Sequence, residues 1–143
     1  MMIDIKIWIL VLVSILSLDY LWLALIQKKY LNEMIERINP TDTLKKNLTH
    51  PLWSFVVVYL LMSFALTYFV LGDKNKSSTR MYLETILLAL TIYATFDFSM
   101  MNLAGGWTLY DAIKDIGWGV TLFTLSTFIV IQVRSALPNI FRS

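Results

Sequence analysis

IWILVLVSILSLDYLWLALI, residues 7–26, carries one charged side chain, Asp19, in an otherwise apolar run. About 20 helical residues cross the hydrocarbon core of a bilayer, so this run has the length of a membrane span. It is too long for the apolar region of a leader peptide. Gln27, Lys28 and Lys29 follow it, with no small-residue cleavage site, so a retained helix is expected. Three further runs have similar length and composition: Leu52–Leu71, Tyr82–Ala104 and Leu109–Val133. None alternates with a period of two, which disfavours a barrel. Helices are then the structure that satisfies every backbone group in lipid. The expected fold is an all-α integral membrane protein, a compact four-transmembrane-helix bundle forming one membrane domain over residues 1–143.

Composition agrees. Of 143 residues 57% are hydrophobic, and the mean hydropathy is +0.65, well above a soluble domain of this size. With no cysteine, disulfides, thiolate metal sites and a cysteine nucleophile are excluded. One histidine, His50, argues against a histidine-based catalytic or zinc centre. A net charge of +2 makes no case for nucleic acid. No cofactor is expected, and no catalytic residue stands out. A metal is left open.

Between the first two spans lies the only long polar segment. Tyr30, Leu31, Met34, Ile35 and Ile38 recur at three- and four-residue spacing, opposite Lys28, Lys29, Asn32, Glu33, Glu36 and Arg37. That pattern predicts an amphipathic helix lying along the membrane interface. Pro40 suits the start of a short further helix, and Thr49-His50-Pro51 the start of the second span. Arg80 and Glu84 are spaced to pair as the third span begins. Thr108 and Asp111 fit a capping box, so the fourth helix should begin at Leu109, with Asp111 as a cap. Trp8, Trp53 and Trp107 fall near predicted interfaces, where an aromatic belt explains them. Basic residues divide almost equally between the two sides. Their slight excess beside the termini places both in the cytoplasm.

Asp19, Asp97 and Asp115 interrupt these spans. A carboxylate in hydrocarbon costs roughly 2.5 kcal/mol or more. Asp19 and Asp97 each lie about two turns before the end of their helix, and Asp115 nearly two turns after the start of its own. At 1.5 Å per residue this puts all three roughly 9–12 Å inside the same membrane face. Asp19 and Asp115 each begin a D-x-x-W motif, so Trp22 and Trp118 lie one turn away. Tyr93 precedes Asp97 by one turn, while Met100 and Met101 follow it. The second span offers Tyr59, Ser63 and Thr67 at i, i+4, i+8, a stripe expected to face the bundle. Gly117, Gly119 and Thr121 would admit close helix approach.

Asp19-Tyr20-Leu21-Trp22-Leu23, Tyr93-Ala94-Thr95-Phe96-Asp97-Phe98-Ser99, Gly106-Trp107 and Asp115-Ile116-Gly117-Trp118-Gly119 occur in that order along the chain. In these motifs the chain resembles an uncharacterised family of predicted membrane proteins, domain of unknown function 2177. The resemblance spans the chain from the first helix to the fourth. It implies a compact four-helix membrane protein and no activity. It also implies D-L-T-N in the third helix, where this chain reads Asp97-Phe98-Ser99-Met100. Ser99 replaces Thr conservatively, but Met100 replaces the polar Asn. Asn102 lies two positions on, about 200° around the helix.

Two functions compete. In one, Asp19, Asp97 and Asp115, walled by Trp22, Trp118 and Tyr93, bind a proton or a small cationic ligand as part of a transporter. Four helices enclose little volume, so a pathway would call for a homodimer in the lipid bilayer. In the other, the protein is a non-catalytic scaffold or accessory subunit, and the acids are hydrogen-bond bridges between helices. An enzyme ranks behind both, because a carboxylate-bound metal would have only Lys114 nearby to hold a phosphate.

Overall fold

The computed structural model describes residues 3–38 and 53–141. Pro40, His50 and the expected starts there lie outside the described residues. Helix α1, Ile5–Tyr20, runs on through a π-helical turn, Leu21–Ile26. Asp4 caps its start, accepting from the Lys6 and Ile7 backbone N–H groups. Helix α2, Lys28–Ile38, is the expected amphipathic helix, and Tyr30, Leu31 and Met34 are turned in toward the bundle. Helix α3, Trp53–Ala65, also ends in a π-helical turn, Leu66–Leu71. Helices α4, Ser78–Leu103, and α5, Leu109–Ala136, form an antiparallel hairpin, followed by a short α6, Pro138–Phe141. Among the described residues there is no strand.

Among the described residues four stretches are long and apolar enough to cross a membrane: Ile5–Ile26, Trp53–Leu71, Ser78–Leu103 and Leu109–Ala136. The third begins four residues earlier than its hydropathy suggests, because Ser77 caps it by accepting from the Arg80 N–H. The fourth begins at Leu109, with both bonds of the Thr108–Asp111 capping box in place.

Helix α5 packs most extensively on α4 and also on α1, while α3 lies against α1 and its π-helical end meets α4. Ile7, Val11, Ile15, Leu66, Val70, Leu122, Phe123 and Val130 fill the centre. Lipid is as apolar as these side chains, so close packing and interhelical hydrogen bonds must hold the bundle. The Tyr59, Ser63 and Thr67 stripe does face inward, with Ser63 and Thr67 fully buried. Ser63 Oγ accepts the Trp8 indole N–H at 2.9 Å, so Trp8 bridges α1 and α3. Thr85 and Thr127 join α4 to α5 through buried hydroxyls 2.9 Å apart.

Of the glycines expected to bring helices together, one does so. A Cβ on Gly119 would lie 2.3 Å from the Tyr93 ring, whereas one on Gly117 would meet nothing within 4 Å. The Tyr93 ring therefore lies against the α5 backbone. Gly119→Ala should displace Tyr93 and lower stability by about 1–3 kcal/mol, the usual cost of overpacking. Gly117→Ala should be close to neutral. Thermal unfolding of the two variants in detergent micelles checks the contrast.

The end of the bundle opposite α2 is closed by cations on helix C-termini. Arg134 donates to the Leu71 carbonyl at 3.1 Å, Lys6 to Ile140 at 2.8 Å and Lys74 to Phe141 at 3.2 Å. The expected Arg80–Glu84 pair forms at 2.8 Å, and Lys76 joins it from the preceding turn.

Candidate functional site

The three acids meet different surroundings. Asp19, at the last turn of α1, is buried and well partnered. One oxygen accepts the Trp118 indole N–H at 2.7 Å and the other the Tyr59 hydroxyl, so Asp19 ties α1 to α5 and to α3. The Trp22 ring lies flat on Trp118, centroids 4.4 Å apart and planes 7° from parallel. Thus the indole one turn from Asp115 serves Asp19 across the bundle, and the indole one turn from Asp19 braces it.

Asp97 on α4 is wholly buried, yet neither of its oxygens receives an N–H or O–H bond among the described residues. Two groups stand close to it, the Asp115 carboxyl and the Trp107 indole. Two carboxyls can bond each other only through a shared proton. Without one they repel. The Trp107 N–H is likewise buried and without an acceptor. Trp107 packs edge-on against Phe96, centroids 6.2 Å apart. It stands at the acid site and lines the cavity there. Trp53 is 66% exposed at the start of α3.

Asp115 on α5 is half-buried and interacts electrostatically with both Asp97 and Asp19. The acids thus form a row with Asp115 in the middle, and the Tyr93 ring lies within electrostatic reach of all three. Tyr93 also meets Phe123 edge-on, 6.1 Å between centroids. The three acids divide into one carboxyl pair, Asp97 and Asp115, and one separately bridged acid, Asp19. Among the described residues no three acids or histidines converge closely enough to hold a metal ion. The site's chemistry as drawn is that of carboxyls, indoles and a phenol.

Asp115 opens on a cavity of about 50 Å³. Trp22, Trp107 and Lys114 of the bundle line it, and Tyr30, Leu31 and Met34 of α2 close it. A space of this size admits one or two water molecules or a small monovalent cation. A wider, open groove lies elsewhere, on the outer side of α4 at Thr95, Ser99 and Asn102. Asn102 donates to the Phe98 carbonyl at 3.1 Å and stays exposed, away from the acids.

Sequence reasoning saw Asp111 as a helix cap alone. Its side chain also accepts the Tyr30 hydroxyl and two N–H groups of Arg37, at 3.2 and 2.8 Å. Burial and the neighbouring Asp111 carboxylate hold the Tyr30 phenol well above its ordinary range, so it stays a donor. The same carboxylate raises the Arg37 guanidinium further. The expected pattern set Arg37 on the face opposite Tyr30, but a spacing of seven residues is close to two full turns and brings both to Asp111 at the facing helix start.

The family model described as predicted membrane protein (domain of unknown function 2177) matches residues 4–132. The chain belongs to this family. No curated protein and no solved structure matches significantly. In this family member, Trp22, Trp107 and Asp115 line the cavity, Asp97 lies behind Asp115, and Asp19 and Trp118 form the bridge beside it.

Proposed function

We propose that this membrane protein binds and passes protons, or a small monovalent cation, through the Asp97–Asp115 pair. The observation that carries the reading is Asp97 itself: a wholly buried carboxyl beside a second carboxyl, with neither oxygen in a formed hydrogen bond among the described residues although the Trp107 indole stands close. A group serving only as a bridge would carry donors, as Asp19 does. An intramembrane acid without them is a functional group by default, and a proton is the ligand that two touching carboxyls share best. The cavity at Asp115 gives the pair a wet neighbour on one membrane face. In this reading Tyr93, Trp22 and Trp118 are the walls of the site, and the termini lie in the cytoplasm.

A homodimer completes a path across the membrane. It is favoured by the exposed polar stripe Thr91, Thr95, Ser99 and Asn102 along α4, since polar groups facing lipid seek another helix. Reconstitution into vesicles tests the function. The protein should dissipate an imposed pH gradient, or a gradient of a monovalent cation, faster than empty vesicles do. Equal rates for every ion tried would sink the proposal. The scaffold reading rests on Asp19, whose two donors tie three helices together. It gains if a larger membrane protein co-purifies stoichiometrically and no flux is found.

A further inference from the structure

Helix α2 lies over the cavity at the acid end of the bundle, yet none of its residues is fully buried. Two of its side chains attach to the transmembrane helices at one carboxylate. Tyr30 and Arg37 both donate to Asp111 from the same face of α2. Asp111 cannot drift, because the Thr108 backbone N–H and hydroxyl hold one of its oxygens at 2.8 and 2.6 Å. Lys114 adds its ammonium 3.6 Å from the centre of the Tyr30 ring. The backbones also touch. At Gly106, where φ is +98°, a Cβ would lie 2.6 Å from the Arg37 carbonyl oxygen. At its other end α2 leaves the π-helical turn through Gln27, whose φ of −106° and ψ of 10° depart from helical geometry. Gln27 is a joint at one end, and Asp111 receives both Tyr30, close to that joint, and Arg37, near the far end.

We infer that α2 is a hinged cover over the Asp97–Asp115 pair and that Asp111 is its latch. With Arg37 and Tyr30 engaged, Leu31 and Met34 close the cavity. When they release, water on that membrane face reaches Asp115. The latch suits this role because its outer half is wet. The Arg37 side chain is 42% exposed while that of Asp111 is fully enclosed, so solvent competes for the guanidinium but not for the acid. The inference rests on the carboxyl-pair reading only for what the cavity leads to.

The chain has no cysteine, so a single introduced thiol reports access cleanly. Leu23 lines the cavity from the bundle side and is half-buried. Lys29, on the outer face of α2, has a side chain 92% exposed and serves as the control. Leu23→Cys and Lys29→Cys proteins in detergent micelles are treated with a small charged methanethiosulfonate reagent. The Leu23→Cys thiol should react slowly, and about tenfold faster once Arg37→Gln and Tyr30→Phe are added, the scale of losing charge-assisted hydrogen bonds. The Lys29→Cys control should not change. Both latch substitutions lie outside the spans and leave the Thr108–Asp111 capping box intact, and elution as an unchanged species on size exclusion verifies the fold. A Leu23→Cys thiol that reacts as fast as the control in the latched protein overturns the cover. So does a rate that latch removal leaves unchanged. Because labelling requires no transport, an absent flux with this difference intact would remove the carboxyl-pair function and leave the cover standing.

Discussion

An Asp97→Asn protein should lose proton flux on the order of a hundredfold, the scale of removing a positioned proton-transfer group, while folding at least as well as the native chain. Asparagine has the shape of aspartate but no exchangeable acid proton. Its amide N–H groups could also donate to the neighbouring carboxyl, and its carbonyl could still accept from the Trp107 indole. Neither Asp97 oxygen has a donor partner, and the adjacent Asp115 carboxyl can accept one. Removing one of two touching carboxyls also removes their mutual repulsion. Function and stability should therefore move apart: flux falls and the unfolding temperature holds or rises. Asp115→Asn should reduce flux similarly, since either substitution breaks the shared site. The two readouts are pH-gradient dissipation in vesicles and thermal unfolding in detergent. Native flux in both variants would remove the proposed role. A sharp drop in stability for Asp97→Asn would instead make Asp97 a structural bridge.

Asp19→Leu should do the reverse, lowering stability by roughly 1–4 kcal/mol. Leucine fits the volume but strands the Tyr59 hydroxyl and the Trp118 N–H, each worth about 1–3 kcal/mol when buried without a partner. Measured hydrogen bonds between membrane helices average about 0.6 kcal/mol and reach about 1.7, which sets the lower end. Two bonds to two helices are lost at once, and Trp22 is left stacked on an unanchored Trp118. Asp19→Asn should fall between, because its carbonyl can keep one of the two donors. Denaturant unfolding in mixed micelles gives the ordering native, Asp19→Asn, Asp19→Leu. An Asp19→Leu protein as stable as native would mean that the bridge carries no net energy. Adding Tyr59→Phe completes a double-mutant cycle that isolates the Tyr59 bond.

The contrast between these acids was not legible along the chain. Depth counting placed Asp19, Asp97 and Asp115 in one layer, because rise per residue is a property of a helix alone. The partners depended on neighbours in space. The D-x-x-W spacing put Trp118 one turn from Asp115, yet its N–H goes to Asp19, 99 residues away in the chain. Spacing gives a shared face, and a face covers several neighbours. Trp107 and Trp8 sat where belt tryptophans sit, but one lies beside Asp97 and the other bonds Ser63. Gly117 and Gly119 were equivalent as small residues, and only Gly119 meets a neighbour, the Tyr93 ring. Asp111 read as a cap and is one, but its second role needed α2 folded back over the bundle.

The amino-acid sequence by itself determined the membrane class, the four helices and the amphipathic helix after the first. These follow from transfer free energy and helical rise, which are sums over neighbouring residues. Only the tertiary structure decided that Asp19 is bridged, that Asp97 and Asp115 are paired without a donor, and that α2 is held over them by Asp111. Those facts depend on how each helix is turned about its own axis and on which distant residue then faces it. Such rotations are set by packing between helices, which no local sum contains.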